Sequence, residues 1–210
     1  METTIIIALL VSAYFFGSIP TAVWWGKRFY GIDVREFGSG NAGATNTFRV
    51  LGKRAGVPVL IIDILKGMAA TALAFLSPFM FNSTQFVNLE LGLGIAALVG
   101  HVFPVFAGFR GGKGVATILG VVICLTPFTS LLVLLIFLTV LILTRYVSLS
   151  SMIGGISFPI ILNVGFKNEN QTLLIFSVFV AILLIVTHKK NISRLLKRQE
   201  SKVKLFAKKA

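Results

Sequence analysis

Residues 115–144 read VATILGVVICLTPFTSLLVLLIFLTVLILT, thirty consecutive residues without a charge. As one straight helix this stretch is about 45 Å long, against a hydrocarbon core of about 30 Å. Pro127 lies near its middle, where a missing N–H and a clashing ring break a helix. The reading is therefore two short helices joined by a tight turn. Each is short for a full crossing, so tilting of neighbours or local thinning is implied. The choice sets parity: two helices make seven crossings in the whole chain, one makes six.

Working outward, apolar runs fit spans at 4–25, 57–76, 89–106, 152–164 and 172–186. Hydrophobic residues are 56% of the 210 and charged ones 13%, about half the usual share in a soluble domain. Mean hydropathy is +0.91. Of the twenty Lys and Arg, eighteen fall in the segments 26–55, 107–114, 145–151 and the tail after residue 187. With seven spans these lie on one side, which leaves Lys167 alone opposite and Lys66 inside a span. The positive-inside rule makes that side cytoplasmic. Six spans would put the 145–151 turn and the tail on the wrong sides. The expected fold is all-α, an integral membrane protein of seven transmembrane helices, N-terminus outside and C-terminus cytoplasmic. It forms one membrane-embedded domain over 1–210, with cytoplasmic motif segments near 36–56, 107–117, 145–151 and 188–200.

The same pattern explains the net charge of +13 as topology and argues against nucleic acid as a partner. The start METTIII carries an acid instead of a basic region, and no small-residue cleavage site follows, so no cleaved signal peptide is expected. The single cysteine, Cys124, allows no intrachain disulfide.

Polar chemistry collects in a few places. EFGSGNAGATNTFRVLGKRAG (36–56) offers Ser39, Asn41, Thr45 and Asn46 as neutral hydrogen-bonding groups and Arg49, Lys53 and Arg54 as cations. Gly38, Gly40 and Gly43 let backbone N–H groups turn toward an anion. GFRGGKGVAT (108–117) is not a Walker A loop, because Ala107 and Gly114 stand where that motif needs Gly and Ser or Thr. Its physics still transfers: glycines and Lys113 feed a helix N-terminus, where first-turn N–H groups and the helix dipole favour an anion. In HKKNISRLLKRQE (188–200), a continuing helix would put His188 and Asn191 on one face. A juxtamembrane lipid-binding helix explains the lysines there but not those two residues. Asp63 and Lys66 lie inside a span at i,i+3 and are expected to form a structural pair, or Asp63 to hold another cation. His101, in GHVFP, is expected to orient and not to react. Ser148, Ser150 and Ser151 could each bind phosphate or cap a helix.

Neither histidine has an Asp five residues on, and no nucleophile elbow, Cys/His metal spacing or dinucleotide fingerprint occurs, so no metal or cofactor is expected. A cationic, neutral-polar site with few acids suits an anionic, phosphorylated substrate.

In order and spacing, GSGNAGATNTFRVLGKRAG, IDILKGM, GHVFPVFAGFRGGKGVAT and HKKNISRLLKRQE resemble the bacterial acyl-phosphate:glycerol-3-phosphate acyltransferases, over nearly the whole chain. The resemblance implies a seven-helix inner-membrane enzyme with a cytoplasmic site. It would pass a fatty acyl group from acyl phosphate to the 1-hydroxyl of glycerol 3-phosphate, with no acyl-CoA and no His-x4-Asp motif. It further implies that Ser39 and Arg49 act in catalysis while Asn41, Thr45 and Asn46 line the site. Gly111, Gly112, Lys113 and Gly114 would hold glycerol 3-phosphate. His188 and Asn191 would assist, Ser148 would be the serine of the short turn that binds substrate, and Glu200 would be structural. Arg110 replaces the Lys of many relatives and keeps the charge.

The alternative from another class is a transporter of phosphorylated anions. Such proteins place their sites near the midplane, often between inverted repeats; here the polar motifs gather toward one face and no repeat is evident. A membrane scaffold with a lipid-binding basic tail leaves the GSGN and GGKG segments unexplained.

Overall fold

The computed structural model describes residues 1–166 and 170–203, and among them the chain is all-helical. Lys167 and the basic residues Lys204, Lys208 and Lys209, which entered the charge count, lie outside the described residues. The helices are α1 (Glu2–Ser18), α2 (Thr21–Tyr30), α3 (Ala44–Leu51), α4 (Lys53–Ala72), α5 (Thr84–Val102), α6 (Val115–Leu125), α7 (Pro127–Thr144), α8 (Val147–Ile160), α9 (Gln171–Thr187) and α10 (Lys189–Leu196). Four stretches are long and apolar enough to cross a membrane, and up to six if each bent pair of helices counts as one; α6 is a further, shorter apolar helix.

The uncharged stretch 115–144 is interrupted, as its proline demands. Thr126 leaves helical geometry (φ −146°, ψ 74°), as a residue before proline tends to, and Pro127 opens α7 at the position where its missing N–H costs least. The expectation that both halves are short is corrected. The break falls late, so α7 has 18 residues, about 27 Å, while α6 has 11, about 16 Å. The chain also divides into two compact units after Thr126.

In the first unit, the expected single span 4–25 is instead two helices bent by 40°. Pro20 is the cause: Ile19 before it is extended (φ −60°, ψ 109°) and α1 stops at Ser18. The ends at this break are tied to α4. Lys66 Nζ donates to the Ile19 carbonyl at 2.9 Å, and the Thr21 hydroxyl donates to Asp63 Oδ1 at 3.0 Å. Asp63 and Lys66 form the expected pair at 2.9 Å, both buried. Helices approach closely where side chains are missing. A Cβ on Gly17 would strike the Ala97 carbonyl of α5, and one on Gly120 the Ile64 carbonyl of α4. The core includes Ala13, Phe86, Leu93 and Ala97.

In the second unit, α8 begins at Val147, so Ser148, Ser150 and Ser151 sit in its first turns and not in the wider turn expected at 145–151. The Ser150 and Ser151 hydroxyls donate back to the Tyr146 and Val147 carbonyls, at 2.8 and 2.9 Å. α9 and α10 meet at a 59° bend at His188, so the helix expected to continue through His188 and Asn191 does not run straight.

Candidate active site

The first polar segment is held by what lies beneath it. Val34 is buried against Ala22 of α2 and Val59 of α4, and α3 lays Phe48 over Gly56 of α4. Asn46, 1% exposed, ties the loop together. Its Oδ1 accepts from the Ser39 N–H at 2.8 Å and the Ser39 hydroxyl at 3.1 Å; its Nδ2 donates to the Val34 and Phe37 carbonyls at 2.8 and 3.1 Å. Four bonds use the whole capacity of an amide side chain. Asn46, expected to line the substrate site, spends these bonds on the loop that presents Ser39. Ser39, Thr45 and Arg49 are exposed, and Asn41 is half-buried. Gly38 is left-handed (φ 63°), and a Cβ there would collide with the Asn46 amide oxygen.

The second segment is joined to the first by a residue that served above only in the charge count. Arg35 Nη1 donates to the Ala107 carbonyl at 2.7 Å and the Arg110 carbonyl at 3.3 Å. The rest of its guanidinium grips Asp33 in a two-pronged pair of 3.0 and 2.7 Å. Asp33 also accepts the Arg35 backbone N–H and lies 3.4 Å from Lys27 Nζ. The Arg35 guanidinium holds the Asp33 carboxyl well below the usual carboxylate range. The sequence signal was present: Asp33, in IDVREF, is one of two acids in a segment of six cations.

The glycine loop then closes onto the end of α5. The N–H groups of Gly111 and Gly112 donate to the Val102 and His101 carbonyls, each at 3.1 Å. These two N–H groups are therefore committed to the fold. Gly111 and Gly112 serve by having no side chain: a Cβ on the first would strike the His101 carbonyl, and one on the second the His101 Nε2. Lys113 follows, half-buried, and Gly114 (φ 77°) turns the chain into α6. The loop thus brings a lysine to the N-terminus of an apolar helix.

In the second unit, Glu200 is the centre. Its Oε1 accepts from the Ser148 hydroxyl at 2.9 Å and Asn191 Nδ2 at 2.6 Å, and its Oε2 accepts from Arg194 Nε at 2.7 Å. Burial alone would push the Glu200 carboxyl up, but these three donors outweigh it and hold it below its ordinary value. Ser148 and Asn191 were expected to bind substrate and to act in catalysis; both are buried and donate to Glu200. His188 is also buried, and its Nδ1 lies 2.7 Å from the Leu184 carbonyl. A carbonyl only accepts, so Nδ1 carries a proton. The tail is drawn in beyond Glu200: the Val203 N–H donates to the Arg145 carbonyl at 2.9 Å, and Lys202 lies over the Tyr146 ring. Among the described residues, no three of His, Cys, Asp and Glu gather as metal ligands would.

A family description, glycerol-3-phosphate acyltransferase, matches residues 7–198. The glycerol-3-phosphate acyltransferase of Listeria monocytogenes is 46% identical over 199 residues, covering 95% of this chain and 97% of its own. That of Chlorobium limicola is 41% identical over 226 residues, with 94% and 96% covered. The crystal structure of PlsY (YgiH), described as an integral membrane glycerol 3-phosphate acyltransferase in its glycerol 3-phosphate form, matches with a TM-score of 0.82 at 37% identity, over 94% of this chain and 95% of that one. Its lysophosphatidic acid form matches with a TM-score of 0.81. Likeness at that identity, together with several apolar helices, makes this a multi-pass integral membrane protein. Full-length agreement with named relatives and with solved structures has one reading: this chain belongs to the glycerol-3-phosphate acyltransferase family.

Proposed function

We propose that this protein transfers a fatty acyl group from acyl phosphate to the sn-1 hydroxyl of glycerol 3-phosphate, giving lysophosphatidic acid and inorganic phosphate for phospholipid synthesis. The observation that carries the reading is the likeness, over nearly the whole chain, to a structure described in glycerol 3-phosphate and lysophosphatidic acid forms. The hydroxyl oxygen bonds to the acyl carbonyl carbon, the bond from that carbon to the phosphate oxygen breaks, and phosphate leaves with the electron pair. Two anions must meet, an oxyanion must be stabilised and a phosphate must depart; cations and fixed donors serve all three. Lys113 and Arg49 supply the positive charge. Ser39 supplies a hydroxyl fixed by Asn46, with Asn41 and Thr45 beside it in the chain. Gly111, Gly112 and Gly114 shape the phosphate loop. In the second unit, His188 assists, while Asn191 and Ser148 act through Glu200.

The hydroxyl proton passes to a phosphate oxygen of the donor, so no protein base is required. A His188→Ala variant that binds both substrates normally yet loses all chemistry would overturn that step. The membrane is the bacterial inner membrane, crossed seven times with the N-terminus outside and the C-terminus cytoplasmic. The skewed placement of Lys and Arg supports this arrangement.

The test is phosphate release by the purified protein in lipid, with glycerol 3-phosphate and palmitoyl phosphate, beside palmitoyl-CoA and Lys113→Ala. Release should need both substrates, fail with palmitoyl-CoA, and fall by about a hundredfold or more in Lys113→Ala. No turnover in folded protein would overturn the acyltransferase reading and make flux of phosphorylated anions in liposomes the next measurement.

A further inference from the structure

Beneath the glycine loop lies a buried polar cluster with no part in the chemistry above. Asp63 Oδ1 takes Lys66 Nζ at 2.9 Å and the Thr21 hydroxyl at 3.0 Å, and it stands 4.0 Å from His101 Nδ1. The Thr117 hydroxyl, fully buried in the first turns of α6, is 3.1 Å from the same nitrogen. One edge of the imidazole is therefore bonded to α6, with Asp63 of α4 behind it. The other edge meets the loop, since His101 Nε2 occupies the place of a Cβ on Gly112. The His101 backbone carbonyl also receives the Gly112 N–H at 3.1 Å. One residue thus grips the loop twice, immediately before Lys113.

Charge neutralisation does not account for this ring. Asp63 and Lys66 already neutralise each other, and Lys66 has a second acceptor in the Ile19 carbonyl. An apolar ring would fill the same space without the cost of burying polar nitrogens. What histidine adds is direction: one nitrogen bonded from behind, so that the opposite edge is fixed against the glycine.

We propose that His101 is a positioning residue for glycerol 3-phosphate: its ring, braced by Thr117, is the floor on which Gly112 rests, and it sets the placement of Gly112 and Lys113 against the substrate phosphate. This rests on the reading that residues 111–114 hold that phosphate. Loss of the ring lets the loop sink and misplaces Lys113, which weakens one substrate and spares the other.

The experiment is steady-state kinetics of the full chain in lipid, with KM for glycerol 3-phosphate and for palmitoyl phosphate measured separately. His101→Ala should raise the first about tenfold and leave the second within about twofold. Gly112→Ala should do the same in the native background, where its methyl meets the ring, but add less than about twofold in the His101→Ala background. Thr117→Val, which removes the brace with little change of shape, should raise the same KM about threefold. Equal changes in both KM values, additive His101 and Gly112 effects, or an unchanged KM in Thr117→Val would each overturn the proposal. If His101→Ala does not fold, Thr117→Val and Gly112→Ala carry the test. Lys113→Ala separates the two levels. If it leaves the glycerol 3-phosphate KM unchanged, the loop reading itself fails; if it raises that KM while the His101 and Thr117 variants do not, only the present inference fails.

Discussion

The two units fix their polar residues in different ways. In the first, the polar segments are glycine-rich and are held through the backbone. Asn46 and Arg35 donate to carbonyls of the loops, while His101 and Val102 lend carbonyls to glycine N–H groups. In the second, the polar residues sit on helices and are held by side chains converging on Glu200. A glycine offers no side chain to grip, so a glycine loop is ordered only by contacts to its peptide groups. A helix has already ordered its peptide groups, so only the direction of its side chains remains to be set.

The contrast breaks most readily at Asn46. Asn46→Leu strands two carbonyls and the Ser39 N–H, and should cost about 3 kcal/mol in unfolding measured in detergent. Asn46→Asp puts an oxygen against those carbonyls and should be no better. A loss below about 1 kcal/mol would mean that the loop is ordered by something other than its peptide contacts.

Glu200→Gln tests the second unit. It keeps size and one acceptor but loses the charge that faces Arg194, Asn191 and Ser148. With Arg194 partly exposed, the cost should be about 1–2 kcal/mol. Because the change loosens side-chain direction and not backbone, turnover should fall by more than that loss of stability explains. A variant equally stable and equally active would remove Glu200 as the organiser.

Arg35→Lys keeps the charge and loses the fork. It should cost about 1 kcal/mol, read as a lower melting temperature. Smallest is the pH effect. Asp33 and Glu200 both have carboxyls held below their ordinary values in the folded protein. Such groups stabilise fully above their unfolded pKa, about 4, and the contribution is lost as pH falls through the folded value. Melting temperature should drop on acidification below about pH 4, and the drop should be shallower in Glu200→Gln and in Asp33→Asn. Unchanged slopes would show that neither pair differs between the folded and unfolded states.

Much of this was legible because periodic apolar runs and prolines act locally. The interruption in 115–144 follows from Pro127, and the Asp63–Lys66 pair follows from two ionisable groups one turn apart where water is absent. What the sequence hid depends on distant partners. Asn46 read as a site residue because a polar side chain in a polar loop reads the same whether it faces substrate or three peptide groups and a hydroxyl. Ser148 and Asn191 are 43 positions apart and both donate to Glu200, itself 52 residues from Ser148. Arg35 passed as a topology charge because, beyond its neighbour Asp33, the distant groups it joins are two carbonyls, and carbonyls carry no sequence signature. Helix boundaries shifted for a related reason: polar residues such as Lys53, Thr84 and Ser148 extend helices past the end of their apolar runs.

The break between α1 and α2 also has a meaning in time. The Ile19 carbonyl it exposes and the Thr21 hydroxyl beside it are synthesised more than forty residues before the Asp63 and Lys66 that use them. In α4 the acid and the ammonium face one another a turn apart, and the ammonium's further acceptor belongs to the stretch of chain made before it. The costly charges of this membrane protein are thus met by groups from an earlier part of the chain, at the place where the proline keeps Ile19 out of helical geometry.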